Sequence, residues 1–198
     1  MCALRRHLHA VGALKHLLCE DETDVLLFPP LRASWAQVGQ QSHVPLSGFN
    51  AKRVLFGTLD LHTGRRVLLP REHQRAADFC AFVKYVRACY PHDPIVMLLD
   101  SDPSHTAQAS RLLAQQLDIE LLFLPYRCPE LNPMDSLWRH GKQLICANRQ
   151  YRNILDEVQT LIDYLLKLPP QQALHKAGVL SPRFWLRLVL AKFFCGLT

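Results

Sequence analysis

The sequence predicts an α/β fold, a mixed five-stranded sheet flanked by helices, and three observations predict it. Two apolar runs, IVMLLD ending at Asp100 and IELLFLP starting at Ile119, are continuous rather than alternating, as strands buried on both faces are. Two further segments, KRVLFGTLDL and GRRVLLP, flank the turn residues HTG and read as a hairpin. Elsewhere apolar residues recur at helical spacing: Ala76, Phe79, Cys80, Phe82, Val83 and Val86 mark a helix from Glu72 to about Tyr90.

In chain order, KHLLCED reads as a first strand that begins near Lys15 and ends in acids. A loop follows, FPPLRASWAQVGQ, punctuated by Pro29 and Pro30. The hairpin supplies the second and third strands. The helix after it is closed by Pro91 and Pro94, and IVMLLD is the fourth strand. A helix is expected from about Ser104 to Leu117, then the fifth strand, IELLFLP. The loop YRCPELNP leads into a helix from Pro133 to about Ala147. The remainder reads as helical: NILDEVQTLIDYLLKL, a short segment near Gln171 to Lys176, and PRFWLRLVLAKFF. Antiparallel strands followed by βαβ units give a mixed sheet with helices on its faces. This order matches the ribonuclease H-like fold, in which the first and fourth strands are neighbours and bring together acids distant in sequence.

The chain has 198 residues, enough for one domain with a substantial core. Twenty-three basic and 17 acidic residues leave a net charge of +6, with ten histidines besides. That mild bias suits a polyanionic partner but is not diagnostic of one. The cysteines are Cys2, Cys19, Cys80, Cys89, Cys128, Cys146 and Cys195; no two form a CxxC pair, so the common zinc signatures are excluded. Scattered cysteines of odd number read as reduced thiols of a cytosolic protein. Charges interrupt the N-terminal segment before a secretory apolar run can form. No apolar stretch reaches membrane-spanning length, and FWLRLVLAKFF carries Arg187 and Lys192. The expectation is a soluble cytoplasmic protein.

Three acidic positions draw notice. Asp100 ends a buried strand and so lies at the carboxyl edge of the sheet, where α/β folds bind ligands. Asp21 ends the first strand, but Glu20, Glu22 and Asp24 surround it and spacing does not choose among the four. Asp135 follows Asn132 and Pro133, a helix-start signature, and on that pattern alone it reads as part of a cap. Asp102, before Pro103, reads as a cap as well. Carboxylates converging from separate elements suit Mg²⁺, which takes hard oxygen ligands. Two such ions about 4 Å apart can activate an attacking oxygen and stabilise a leaving one.

Three segments, EDETDVLLFPPLRASWAQVGQ, LLDSDPSHTA and LPYRCPELNPMDSLWRHGK, resemble the catalytic domain of mariner-like transposases of the DDE/D superfamily, in the bacterial insertion-sequence branch. The likeness covers roughly residues 15 to 165. It selects one acid per motif: Asp21 from the Asp-Glu pair, Asp100 five residues before His105, and Asp135 after Asn-Pro-x. Two departures stand out. Asp135 occupies a position where this branch usually carries glutamate, and Ser101 follows Asp100 where asparagine is usual.

The resemblance implies that Asp21, Asp100 and Asp135 hold two divalent ions, Mg²⁺ or Mn²⁺. The activity implied is cleavage of transposon ends, then strand transfer of the freed 3′-hydroxyl into target DNA. The alternative is an inactive or host-adopted remnant that binds DNA or a partner without cutting. His105 and Glu22 are candidates for supporting the site, and Arg32, Trp35, Arg139 and Lys142 for contacting DNA. For His105 the other reading is a local helix-turn hydrogen bond; for Trp35 it is anchorage of its loop. Trp138 reads as core rather than DNA-stacking. The implied division is an N-terminal extension (1–14) without a DNA-binding module, a catalytic domain (15–168) and a helical tail (169–198). The implied partners are DNA, a second copy of the chain, and a separate helix-turn-helix polypeptide to read terminal repeats. That places the protein with the bacterial nucleoid.

Overall fold

The computed structural model describes residues 16–40 and 43–194, with side chains described through Leu190. The N-terminal extension expected over 1–14, Cys2 and Cys195 fall outside the described residues.

Five strands form one sheet: β1 (His16–Leu26), β2 (Lys52–Asp60), β3 (Arg66–Arg71), β4 (Ile95–Leu99) and β5 (Ile119–Phe123). Their spatial order is β3-β2-β1-β4-β5. The first three are antiparallel to one another, while β4 runs parallel to β1 and to β5. The expected adjacency of first and fourth strands is therefore present, with Cys19 opposite Leu98. The helices are α1 (Ala76–Cys89), α2 (Pro103–Thr106), α3 (Gln108–Gln116), α4 (Pro133–Ile145), α5 (Ile154–Lys167), α6 (Pro170–Lys176) and α7 (Arg187–Phe194).

Side-chain alternation divides the sheet into two buried faces. Leu17, Cys19, Leu55, Leu59, Val96 and Leu98 pack with Trp138, Leu161 and Leu165 from α4 and α5. Leu18, Phe56, Met97 and Leu99 pack with Phe79, Phe82 and Val86 of α1 and Ala114 of α3. This three-layer arrangement is why the central strands read as unbroken apolar runs. Leu174 of α6 and Leu186, Val189 and Leu190 join the first cluster, so the C-terminal helices share the core of the sheet. No helix among the described residues is long and apolar enough to cross a membrane.

The helix expected from Glu72 begins only at Ala76, and the one expected over PRFWLRLVLAKFF only at Arg187. Two further expectations change more deeply. The first strand does not end at Asp21; its antiparallel register with β2 continues to Leu26 opposite Lys52. Val25 is fully buried and keeps the chain in the sheet beyond the acids. The helix expected over Ser104 to Leu117 is two helices, broken at Ala107, whose ψ of 141° is extended. The Ser110 hydroxyl reaches back across that break to the Ser104 carbonyl.

Two contacts set the position of the outer helices. Gly57 sits opposite Asp21 in the β1–β2 register. A Cβ there would meet the Trp138 ring at 2.5 Å, so glycine lets α4 lie directly on the sheet. Arg66, buried at the start of β3, donates to the carbonyls of Leu165, Leu166 and Leu168 and closes the C-terminal end of α5.

Candidate active site

Asp21 projects from the middle of β1 onto the α4 side, whereas Glu20 and Glu22 take the opposite side, following the period of a strand. Asp100 is the residue just past β4. Asp135 lies in the first turn of α4. Five acids, Asp21, Glu22, Asp100, Asp102 and Asp135, line one cleft of about 480 Å³, together with Tyr126, Arg127 and Pro129. The three aspartates selected by the motifs are thus brought together.

Asp135 reaches this place because of Asn132. The Asn132 side chain caps α4 by accepting from the Met134 N–H at 3.1 Å, and its Nδ2 donates to the Glu20 carbonyl at 2.6 Å. One buried amide thus starts the helix and ties that start to β1. Asp135 itself does not cap: the Asn132 N–H bonds to the Pro129 carbonyl, leaving the Asp135 carboxylate for Arg139 and the cleft. The cap reading of Asp135 is replaced by one in which Asn132 alone does the capping. Asp102 does cap as expected, accepting from Ser104 N–H at 2.8 Å.

The electrostatics follow from this crowding. Burial, then the charges of Glu22, Asp100 and Asp135, push the Asp21 carboxyl up to about 8. Burial likewise raises Glu22, though the hydrogen bond from His105 opposes it. Glu20 is fully buried, and burial drives it well above the usual carboxylate range. Asp100 moves the other way, held low by its hydrogen bond from His105.

His105 is the cation at the centre. Burial by itself would lower it, but Glu20, Asp100 and Glu22 outweigh that and push it up to about 12. Its Nδ1 lies 2.9 Å from Asp100 Oδ1 and its Nε2 2.8 Å from Glu22 Oε1. Glu20 Oε2 is 3.6 Å away, within ion-pair range but without a hydrogen bond to either carboxylate oxygen. The local-turn reading of His105 is thus incomplete, because one ring nitrogen is committed to another strand. Glu20 is the residue that sequence reasoning left out of the site. The available signal was its two-residue spacing from Glu22, which puts both on the face that His105 meets.

A second cleft, of about 430 Å³, runs from Asp21 and Asp135 along α4 and carries Arg32, Arg139 and Lys142. Lys142 Nζ donates to the Thr23 hydroxyl at 2.8 Å, and Arg139 pairs with Asp135 one helical turn away. Trp138 is buried, as expected. Trp35 is fully exposed, so it does not anchor its loop. That loop is held instead by Asn148 and Gln150. Asn148, in the left-handed conformation at φ 57°, exchanges side-chain hydrogen bonds with the backbone of Arg32; Gln150 does so with Ser47 and Phe49.

The donor set is all carboxylate oxygen on the cleft side, which fits a hard divalent cation. The raised Asp21 carboxyl fits one too: three like charges surround it, and a cation there would relieve them. By donor chemistry the cleft acids suit Mg²⁺ or Mn²⁺, while among the described residues the group whose ligand atoms already lie within 4.8 Å of one another is Glu20, Glu22 and His105.

Comparison with known proteins agrees with the geometry. The model of the family described as DDE superfamily endonuclease matches residues 16–157. An insertion element IS630 protein of 39 kDa from Shigella sonnei is 27% identical over 152 residues, covering 76% of this chain and 44% of that one. The Tcb2 transposase of Caenorhabditis briggsae is 29% identical over 83 residues, 37% of this chain and 30% of its own. Among solved structures, the mariner Mos1 paired-end complex with Mg superposes with a TM-score of 0.69 at 21% identity, covering 96% of this chain and 60% of that one. The isolated Mos1 catalytic domain gives 0.61 at 17% identity, covering 96% and 92%. These likenesses establish a shared ribonuclease H-like fold. The chain spans less than half the length of the IS630 protein and about three-fifths of the Mos1 chain in its paired-end complex. A family match over most of the chain, with all three motif acids on one cleft, establishes that the chain belongs to the DDE superfamily endonuclease family.

Proposed function

We propose that this chain is the catalytic part of a DNA transposase. Its reaction is hydrolysis of a phosphodiester at a transposon end, followed by attack of the freed 3′-hydroxyl on target DNA. One observation carries the reading: Asp21, Asp100 and Asp135 arrive from a strand, a strand end and a helix start, and meet in one cleft. The paired-end and strand-transfer complexes of Mos1 support it by analogy of fold.

In this reading Asp21 and Asp135 offer oxygens from the α4 side and Asp100 from the β4 end. Two divalent ions held there would supply Lewis acidity and a lowered pKa for the attacking water. The protein's own share is positioning and charge. Arg32, Arg139 and Lys142 flank the second cleft and would hold phosphates either side of the scissile one. Trp35, projecting from the β1–β2 loop, would stack on exposed bases. His105 and Glu22 would support the acids from behind. Residues 15–168 would make up the catalytic unit, with the helices α6 and α7 of the expected 169–198 tail packed into its core. A second copy of the chain and a helix-turn-helix module would complete the DNA-bound assembly, on the nucleoid.

A pre-nicked transposon-end duplex incubated with Mg²⁺ or Mn²⁺ tests this. The expected result is metal-dependent joining by the native chain and none by Asp100→Ala. Equal joining by both would overturn the assignment. Cleavage of RNA–DNA hybrids in its place would point to a different nuclease on the same fold.

A further inference from the structure

We propose that His105 is a positioning residue that decides which oxygen of Asp100 is offered to the cleft. The inference rests on the reading of Asp100 as a metal-holding acid and adds the device that aims it. Asp100 is the least confined of the three aspartates: it lies past the end of β4, and its side chain is 62% exposed. A carboxylate so placed samples several rotamers, and ordering it costs entropy each time an ion binds.

The local chain removes that freedom. The Asp102 N–H donates to Asp100 Oδ1 at 2.9 Å, and the ring of His105 meets the same oxygen at 2.9 Å. Both hydrogen bonds fall on Oδ1, and Asp100 lines the cleft, so Oδ2 is the oxygen that the inference offers to an ion there. The five-residue spacing follows from the geometry. Asp102 caps the single turn of α2, and that turn carries His105 back toward Asp100. The ring is itself locked from three sides. Its Nε2 meets Glu22 Oε1 at 2.8 Å, Phe79 lies against its face with ring centroids 4.5 Å apart, and the side chain is fully buried. Because Glu22 is on β1 and Asp100 follows β4, the imidazole joins the two strands that carry the first two acids. Carboxylates that ligate metals are themselves held by hydrogen bonds from neighbouring groups, and losing such a partner weakens metal binding.

Two conservative variants separate the arms. The Nδ2 of His105→Asn falls near the position of the imidazole Nδ1 and keeps the bond to Asp100. The Nε2 of His105→Gln reaches the position of the imidazole Nε2 and keeps the bond to Glu22. Each loses one hydrogen bond of the buried ring, to Glu22 in His105→Asn and to Asp100 in His105→Gln, so each lowers the unfolding temperature in EDTA. Mn²⁺ affinity, read by the paramagnetic resonance of free Mn²⁺, is where they part. His105→Asn is expected to stay within roughly threefold of the native chain, and His105→Gln to weaken by about 10- to 100-fold. Parallel losses that track the unfolding temperature, or retention by His105→Gln alone, would overturn the inference. Asp100→Asn serves as the reference. If it leaves Mn²⁺ affinity intact, the reading of Asp100 as a metal-holding acid fails first. If it abolishes binding while His105→Gln is unchanged, only the role of His105 fails.

Discussion

At the scale of single residues, Asp21 shows what the site costs the fold. Its carboxyl is pushed up to about 8 by burial and by three neighbouring acids. A carboxyl raised in the folded state contributes stability that is fully present below the ordinary aspartate value and is lost as pH rises through the folded value. The metal-free chain is therefore expected to lose thermal stability progressively as pH climbs toward about 8. Asp21→Asn should flatten that decline, raise the unfolding temperature in EDTA near neutrality, and abolish metal-dependent joining. Circular-dichroism melts across pH check it; a native chain as flat as the variant would sink it. Protons and cations compete for the same carboxyl, so Mn²⁺ affinity measured by calorimetry should strengthen over the same range.

At the scale of elements, two close contacts position α4 and α5, and each can be broken alone. Gly57→Ala drives a methyl into the Trp138 ring and the Leu68 side chain. Overpacking of this kind costs about 1–3 kcal/mol, readable by urea denaturation, and should reduce joining as well because α4 carries Asp135. Arg66→Lys removes a fork that reaches four carbonyls at once, those of Gly64, Leu165, Leu166 and Leu168, and a loss of about 1.5–3 kcal/mol is expected, since an ammonium cannot span them. The sequence made the buried strands and the cap at Asn132 readable, because continuous apolar runs and Asn-Pro pairs have local causes. It did not reveal that β1 continues to Leu26, since that depends on pairing with β2. Nor did it reveal the break at Ala107, where the turn that returns His105 to Asp100 prevails over helical periodicity. Physical reasoning singled out Asp100, but left Asp21 among four acids and made Asp135 a cap. Family motifs chose the set, and the sheet order explains why they converge. Asn148 and Gln150 carried no local signal, because their partners lie more than a hundred positions away in the chain.

At the scale of the whole molecule, the β1–β2 loop stands apart from the packed layers. Its tip carries the fully exposed Trp35 and Val38, while its roots are held by two amides from the α4–α5 connection. Trp35→Ala should leave the unfolding temperature unchanged and weaken binding to transposon-end duplex, with quenching of indole fluorescence by DNA as the readout in the native chain. No quenching, or a large loss of stability, would remove Trp35 from the interface. The pairing of β1 with β4 carries a further consequence, in time rather than in space. Asp21 lies on β1 and Asp100 just past β4, strands joined in parallel across the hairpin and α1, a non-local contact whose loop-closure entropy must be met before the pairing gains anything. The hairpin and helices can form early from local contacts, whereas the acids meet only when that closure occurs. A refolding chain should regain its helical signal before it regains a single Mn²⁺ site.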